Sequence, residues 1–482
     1  MRKQSLSKNF IFQFLYQGLM LIVPLVLSPY LTRTLQETAL GNYTFANSIA
    51  YYFVIFANLG ISRHGQRIIS QSSGDDNKLR KEFWSLFSLH SIISAVAAVA
   101  YVLYVAFFVR EYKIIYVIEL MYVLSALFDI TWLFYGLENF KSVVIKNGLV
   151  KVIECALIFA LVKQPSDVGI YTAICAGGIL IGQVVMIPQA VKTVKPIKFT
   201  KADACNHIKP LLVFSIAVIA ATLYTVFDKT LLGIMSTKEN VAFYEYSNRI
   251  IIVPRSIVSV VGTVMFPRAC KLAAEGDTEG QRRYINYSFL FTAFIGIGSI
   301  FGFLAVAKLF ATIYYGLSFS ICGTIMIALS PLIFLIGMGD IIRTQYMIPN
   351  GMDKQFNICI VLNAIVNLVL SVSLIPLIGV YGAVVGTVSA ELFGLIYQMV
   401  LCKKFIKAKD IVLSTIPFVL IGTIMYVAIR AVANYLPGTL SGLLIEIMVG
   451  LIIYSLISVT YLFIFKKDII NMVLSKMHIR QI

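Results

Sequence analysis

Apolar runs of about twenty residues follow one another from end to end of this chain, each long enough to cross the hydrocarbon core of a bilayer. Backbone polar groups in hydrocarbon must be satisfied within their own segment, so continuous runs of this kind fold as helices. Membrane-spanning strands would alternate residue by residue, and these runs do not. The spans fall near 10–32, 43–62, 84–108, 114–136, 143–162, 168–190, 210–234, 247–269, 286–309, 321–347, 357–377, 380–401, 411–432 and 441–465, about fourteen in all. Of the 482 residues 59% are hydrophobic and only 13% charged, against about 25% charged in soluble domains. The fold class is an all-α polytopic membrane protein. The run behind MRKQSLSKN continues to about Leu31 without a small-residue cleavage pattern, so a retained first span is expected rather than a signal peptide.

A formal charge of +17 would fit nucleic acid, but its distribution argues for topology. Basic residues crowd alternate loops: Arg63, Arg67, Lys78, Arg80 and Lys81, then Lys192, Lys195, Lys198, Lys201 and Lys209, then Lys403, Lys404, Lys407 and Lys409. The intervening loops are short and nearly neutral. The positive-inside rule then places both termini in the cytoplasm, and no nucleic-acid partner is expected. Seven cysteines stand singly and the four histidines (His64, His90, His207, His478) do not cluster, so neither metal nor cofactor is expected.

One stretch occurs twice. In Tyr30–Ile49 a basic residue and Thr-Leu (Arg33, Thr34, Leu35) lead through a polar turn to Gly41, Tyr43, Phe45, Ala46, Asn47 and Ile49. In Phe227–Arg255 the same order runs Lys229, Thr230, Leu231, then Ala242, Tyr244, Tyr246, Ser247, Asn248 and Ile250. Asn147, Gly169, Tyr171 and Ala173 recur at constant offset as Asn357, Gly379, Tyr381 and Ala383. Six spans per repeat is even, so the repeats share one orientation, as in transporters built of two related halves. The expected domains are 1–200 and 201–405, with an additional helix pair and tail over 406–482.

Four spans carry polar residues on one face: Gln13, Gln17 and Ser28; Tyr43, Asn47, Tyr51 and Asn58; Ser215, Thr222, Thr225 and Lys229; Asn248, Arg255, Ser259 and Thr263. Polar faces avoid lipid, so these are expected to line a hydrated cleft, with helix–helix hydrogen bonding as the alternative. Arg255 lies two turns into its span, beside Pro254, which is expected to break the helix. With Arg33, Lys229 and Arg249 it would make the cleft basic and fit for a phosphate-bearing cargo. Asn47, Asn248, Gln17 and Tyr51 complete the candidate binding set. Lys151 with Glu154, and Asp340 with Arg343, are spaced for pairing. Asp129, Asp228 and Asp340 are candidates for ion coupling or structural pairing. Pro24, Pro29, Pro331 and Pro417 allow bends.

The run Asp129-Ile-Thr-Trp132-Leu-Phe134-Tyr-Gly136-Leu-Glu138-Asn-Phe140-Lys141 resembles the signature of the polysaccharide-biosynthesis flippases of the O-antigen (Wzx) type. Asn58-Leu-Gly60-Ile before Arg67, and Asp228-Lys229 through Leu232-Gly233 to Tyr244, are similar to the same family. The resemblance implies a member of the multidrug/oligosaccharidyl-lipid/polysaccharide exporter superfamily: two six-helix bundles around a V-shaped central cleft, plus two further helices, working by alternating access without ATP hydrolysis. The implied cargo is an undecaprenyl-pyrophosphate-linked oligosaccharide, moved from the cytoplasmic to the outer leaflet of the bacterial inner membrane, with ion or potential coupling. Membrane lipids surround it, and a polysaccharide polymerase and glycosyltransferases of the same pathway are the implied partners. A lipid II flippase and a multidrug exporter of the same superfamily are the alternatives, although the striped helices hold more basic than acidic groups, which disfavours cationic drugs. No outer loop has room for a catalytic domain, so an enzyme is not expected.

Overall fold

The computed structural model describes residues 6–466, with side chains from Phe14 onward except at 214 and 216–225. Gln13, Thr222 and Thr225 of the polar stripes, and the terminal Arg2, Lys3, Lys467, Lys476 and Arg480, lie outside the described side chains. The helices of the first unit (Met1–Ala242) are α1 (Leu6–Thr34), α2 (Gln36–Asn58), α3 (Ile61–Ser72), α4 (Asp76–Phe108), α5 (Lys113–Leu127), α6 (Thr131–Gly136), α7 (Phe140–Leu161), α8 (Val168–Val184), α9 (Ile187–Thr193), α10 (Lys201–Cys205) and α11 (Ile208–Met235). The second unit (Phe243–Ile482) takes most of α12 (Lys238–Glu275), then α13 (Thr278–Tyr315), α14 (Cys322–Leu329), α15 (Pro331–Ile342), α16 (Asp353–Ile378), α17 (Val380–Leu401), α18 (Ala408–Ala433) and α19 (Leu440–Phe465).

Among the described residues twelve segments are long and apolar enough to cross a membrane. Two of the expected fourteen are not among them. The fifth, α7, carries Lys146, Lys151 and Glu154 through its middle, and much of the seventh, α11, has undescribed side chains. In the first unit α5 packs against α2, α4 and α8, and α1 lies against α7. In the second, α16 pairs with α17, and the last two helices α18 and α19 both pack on α13.

The duplicated motif folds as two helix–break–helix units whose breaks differ by about one turn. The first breaks at Leu35, where Gln36 takes φ 62° and opens α2. The second stays helical to Met235 and turns at Ser236. The two copies meet: the Phe45 ring packs on Gly233, and a Cβ on Gly41 would lie 1.9 Å from the Lys238 carbonyl oxygen. Glycine is needed at position 41 because main chain meets main chain there.

The signature run 129–141 is a packing device. Asp129 Oδ1 accepts from the Thr131 amide at 3.0 Å and its hydroxyl at 2.6 Å, in the turn before α6. Trp132 is wholly buried and donates through Nε1 to the Asp129 carbonyl. Its ring fills the space that a side chain at Gly65 of α3 would need, while Gly136 sits on Ile69.

Pro254 does not break its helix. α12 runs unbroken for 38 residues with Pro254 and Pro267 inside it, and the Ser256 hydroxyl donates to the Val253 carbonyl at 2.7 Å. Pro254 withholds one hydrogen bond, the one to the Ile250 carbonyl, and membrane helices tolerate single prolines of this kind. At Pro331 the helix is divided into α14 and α15, although Ser330 between them keeps helical dihedrals, φ -57° and ψ -31°.

The first unit is fastened by a histidine pair outside the apolar runs. His64 Nε2 lies 3.1 Å from His207 Nδ1, and His207 Nε2 lies 2.9 Å from Ser85 Oγ and 3.4 Å from the Glu82 carboxylate. Nearby, Lys81 pairs with Asp203 at 2.9 Å, whose carboxyl is held at about 2 by the Thr200 amide and by Lys81. Burial pushes the His207 imidazole below its ordinary value, against the pull of Glu82 and Asp203. The unfolded chain then binds the proton more readily, so this junction's stability is full above the ordinary histidine value and is lost as pH falls through about 6.5. The melting temperature of the purified protein is expected to drop between about pH 7 and 5, with His207→Gln removing part of that drop.

Candidate functional site

The site of the second unit is built on α12 and α15. Arg343 Nη2 lies 2.8 Å from Asp340 Oδ1. Arg255 on α12 adds its field to the same carboxylate, and the Ser259 hydroxyl, one turn further on, hydrogen-bonds to it. Two guanidiniums around one carboxylate leave a surplus positive charge in a half-buried setting. Arg343 opens a π-helical turn, Arg343–Met347, and stacks over Phe356 at 5.2 Å. Extra residues of this kind within helices often mark functional positions. Arg249 is engaged locally, 3.0 Å from Glu245 and 4.4 Å from the Tyr246 ring centre, and Asn248 beside it is half-buried.

Beside this cluster lies an apolar groove of about 520 Å³ between α12, α13, α18 and α19. Pro254 and Ile257 form its α12 wall, Phe294 and Gly302 belong to α13, and Ile429 and Tyr454 to the last two helices. The Tyr454 hydroxyl is turned away to the Phe294 carbonyl, 2.7 Å distant. Arg255 follows Pro254 directly, so one turn of α12 carries both a wall of the groove and the cation.

In the first unit the polar face of α2 turns toward other helices of that unit. Asn47 Nδ2 lies 3.3 Å from both oxygens of Glu119 on α5. Tyr51 stacks on Tyr122 and Tyr43 meets the edge of Tyr171. Gln17 is exposed on α1, and Arg33 is exposed at its end, donating to the Pro29 carbonyl at 2.8 Å. On α11 Asp228 is buried and Lys229 half-buried, next to Thr230, which bonds the Tyr52 hydroxyl. Lys151 and Glu154 form an ion pair on α7, and a Cβ on Gly178 would collide with that glutamate. The structure thus brings Arg255, Asp340 and Arg343 together in one unit, and Asn47 with Tyr51 in the other. Asp129 is occupied by the amide and hydroxyl of Thr131 in the turn before α6. Glu119 escapes any search for charges paired along one helix, because its partner comes from α2; its signal is a lone carboxylate in an apolar run.

The comparisons with known proteins now bear on this arrangement. Residues 6–273 match the family described as polysaccharide biosynthesis protein. The chain belongs to that family. Residues 147–449 also match the family of the lipid II flippase MurJ. Two curated relatives of this polysaccharide-biosynthesis chain, each described as a putative O-antigen transporter, come from Shigella dysenteriae and Escherichia coli (strain K12). They are 24% and 22% identical, over 82% and 81% of this chain and 99% and 94% of their own lengths. Among solved structures, lipid II flippase MurJ in an inward closed conformation superposes with a TM-score of 0.75 at 18% identity, covering 96% of this chain and 99% of that one. A multidrug resistance MATE family transporter of the MOP superfamily, inward-facing, gives 0.56 at 14% identity over 82% and 96%. Both likenesses are of fold. With its membrane-crossing helices, the chain is a multi-pass bacterial inner-membrane protein of the polysaccharide-biosynthesis family.

Proposed function

We infer that the protein is a flippase for lipid-linked oligosaccharides, carrying an undecaprenyl-pyrophosphate-borne repeat unit from the cytoplasmic to the outer leaflet by alternating access. The observation that carries the reading beyond family membership is the pairing on α12 of a cation with an apolar groove. A prenyl-linked glycan has the matching parts: an anionic pyrophosphate that hydrocarbon rejects, and a long apolar tail. Arg255, the cation left in surplus once Arg343 and Asp340 have paired, offers the charge-assisted contact that phosphate oxygens take, and the groove beside it suits the tail. Within the same unit Arg249 extends the basic set and Asn248 is a polar contact for the head; Arg33, Lys229, Asn47, Gln17 and Tyr51 are the polar and basic groups that the first unit offers on its own helices. Two sixfold repeats over 1–200 and 201–405, an added pair over 406–482, and both termini in the cytoplasm complete the proposal, together with a polymerase and glycosyltransferases of the same pathway as partners. Movement of the charged head across the membrane potential involves about 2.3 kcal/mol per charge per 100 mV, so the potential favours export of the anion from a negative interior.

The test is reconstitution: vesicles holding the purified protein are given a pyrophosphate-linked repeat unit, with lipid II as competitor. Transfer of the repeat unit between leaflets supports the reading, and transfer of lipid II alone would replace it with the second reading that the MurJ match favours. The groove gives a sharper check. Nothing lies within 4 Å of a Cβ on Gly302, so Gly302→Trp fills the groove without a clash at that atom. It is expected to cut transfer about tenfold, equivalent to about 1.4 kcal/mol of lost binding, while Gly302→Ala stays near wild type.

A further inference from the structure

We propose that Glu119 is a proton-binding site in the first unit, loaded while its carboxyl faces Asn47 and emptied during the transport cycle. The inference rests on the flippase reading and names the group through which that transporter takes up a driving ion. Glu119 is 1% exposed and lies six residues, about 9 Å, inside α5 from its start. Its hydrogen-bonding neighbour is the Asn47 amide at 3.3 Å from each oxygen. Among the described residues, the titratable groups that face it are neutral tyrosines. From α4 come Tyr101, whose hydroxyl donates to the Tyr116 carbonyl, and Tyr104. From α5 itself come Tyr116 and Tyr122, the latter stacked on Tyr51 of α2. α8, which also packs on α5, has no Asp, Glu, Lys or Arg.

The charged residues on these helices lie elsewhere along them: Glu37 on α2, Lys113 at the head of α5, and Asp76, Lys78, Arg80, Lys81 and Glu82 at the start of α4. His90 on α4 is committed to the Ala126 carbonyl at 2.7 Å. Among the described residues no Lys, Arg or His nitrogen lies within 4.0 Å of the Glu119 carboxylate. A carboxylate ion without a counter-charge is strongly disfavoured inside a membrane bundle, so charge balance requires a bound cation in this conformer. A transition-metal ion would need further anionic or imidazole ligands, and among the described residues no group of three such side chains could hold one. Sodium, which neutral oxygens can hold, is the competing ion in the vesicle test, but the group that Asn47 turns to the carboxylate is its amide nitrogen, a donor. A proton needs no further ligand. The neutral carboxyl can both donate to and accept from a carboxamide, which Asn47 provides by turning its amide. Asn47 is on α2, and the Glu119 carboxyl is on α5. Any shift of α2 against α5 therefore parts the pair, admits water and lets the proton go.

The test uses full-length protein in vesicles, with export measured with and without an imposed pH gradient. The ratio of the two rates is expected to exceed unity in wild type, to fall to unity in Glu119→Gln whatever its absolute rate, and to stay above unity in Glu119→Asp. A second readout needs no transport: the infrared carbonyl stretch of a protonated carboxylic acid should be present in wild type and reduced in Glu119→Gln. Wild type that translocates with a ratio of unity, a Glu119→Gln ratio equal to that of wild type, an identical infrared band in the two proteins, or a response to sodium in place of pH would each overturn the proton site. Wild type that moves no lipid-linked glycan at all would overturn the flippase reading instead.

Discussion

Arg255→Ala is expected to lower surface glycan about 10- to 100-fold in cells lacking the native copy, while the protein still reaches the membrane. A hydrogen bond to a charged group contributes about 1.5–3 kcal/mol, and each 1.4 kcal/mol is about tenfold. The side chain stands half-buried on α12, sharing Asp340 with Arg343, so removing it leaves one guanidinium for one carboxylate and no surplus charge. Arg255→Lys should fall between, since an ammonium keeps the charge but loses the planar fork that grips phosphate. Asp340→Asn is expected to act differently, leaving two guanidiniums uncompensated and holding the cargo more tightly. Accumulation of the lipid-linked repeat unit on the inner leaflet reads the defect directly. Full complementation by Arg255→Ala would remove this residue from the binding site.

Gly41→Val is expected to abolish accumulation of folded protein. An added Cβ would stand 1.9 Å from the Lys238 carbonyl oxygen and 2.4 Å from its carbon, far inside van der Waals contact. Overpacking usually costs about 1–3 kcal/mol because side chains can give way; here the obstacle is main chain, so the upper end applies. The contact joins the two copies of the duplicated motif, and Phe45 on Gly233 and Lys238 over the Phe45 ring at 3.6 Å depend on the same approach. Gly18→Ala is the control, since nothing lies within 4 Å of that position and alanine is the better helix former by about 1 kcal/mol. A wild-type melting curve for detergent-purified Gly41→Val would show that α2 and the start of α12 stand further apart than described.

Much of this architecture is legible from hydropathy, because in a bilayer length and apolarity decide what becomes a span. The charged spacing of Lys151 with Glu154 and of Asp340 with Arg343 also gives their pairing directly, since three residues bring side chains together on a helix. What fails to show is whatever depends on a second helix. The Asn47 stripe marks a polar face, but the glutamate it meets lies 72 residues away in the chain. Pro254 marks a missing donor, yet α12 runs on through it, because one lost hydrogen bond does not outweigh those on either side of it in a 38-residue helix. The groove is invisible in sequence for the same reason: each of its walls is an ordinary apolar helix face, and only the meeting of four makes a hollow.

The run from Asp129 to Lys141, which resembles the family signature, holds an aspartate turn, a buried indole and a glycine seat under a neighbouring helix. None of those duties involves the sugar. A profile weighted on these residues therefore sorts chains by how they are held together, and two proteins it scores alike can serve unrelated glycans. Cargo preference must be sought where lineage leaves the weakest print, on the faces that no helix neighbour constrains.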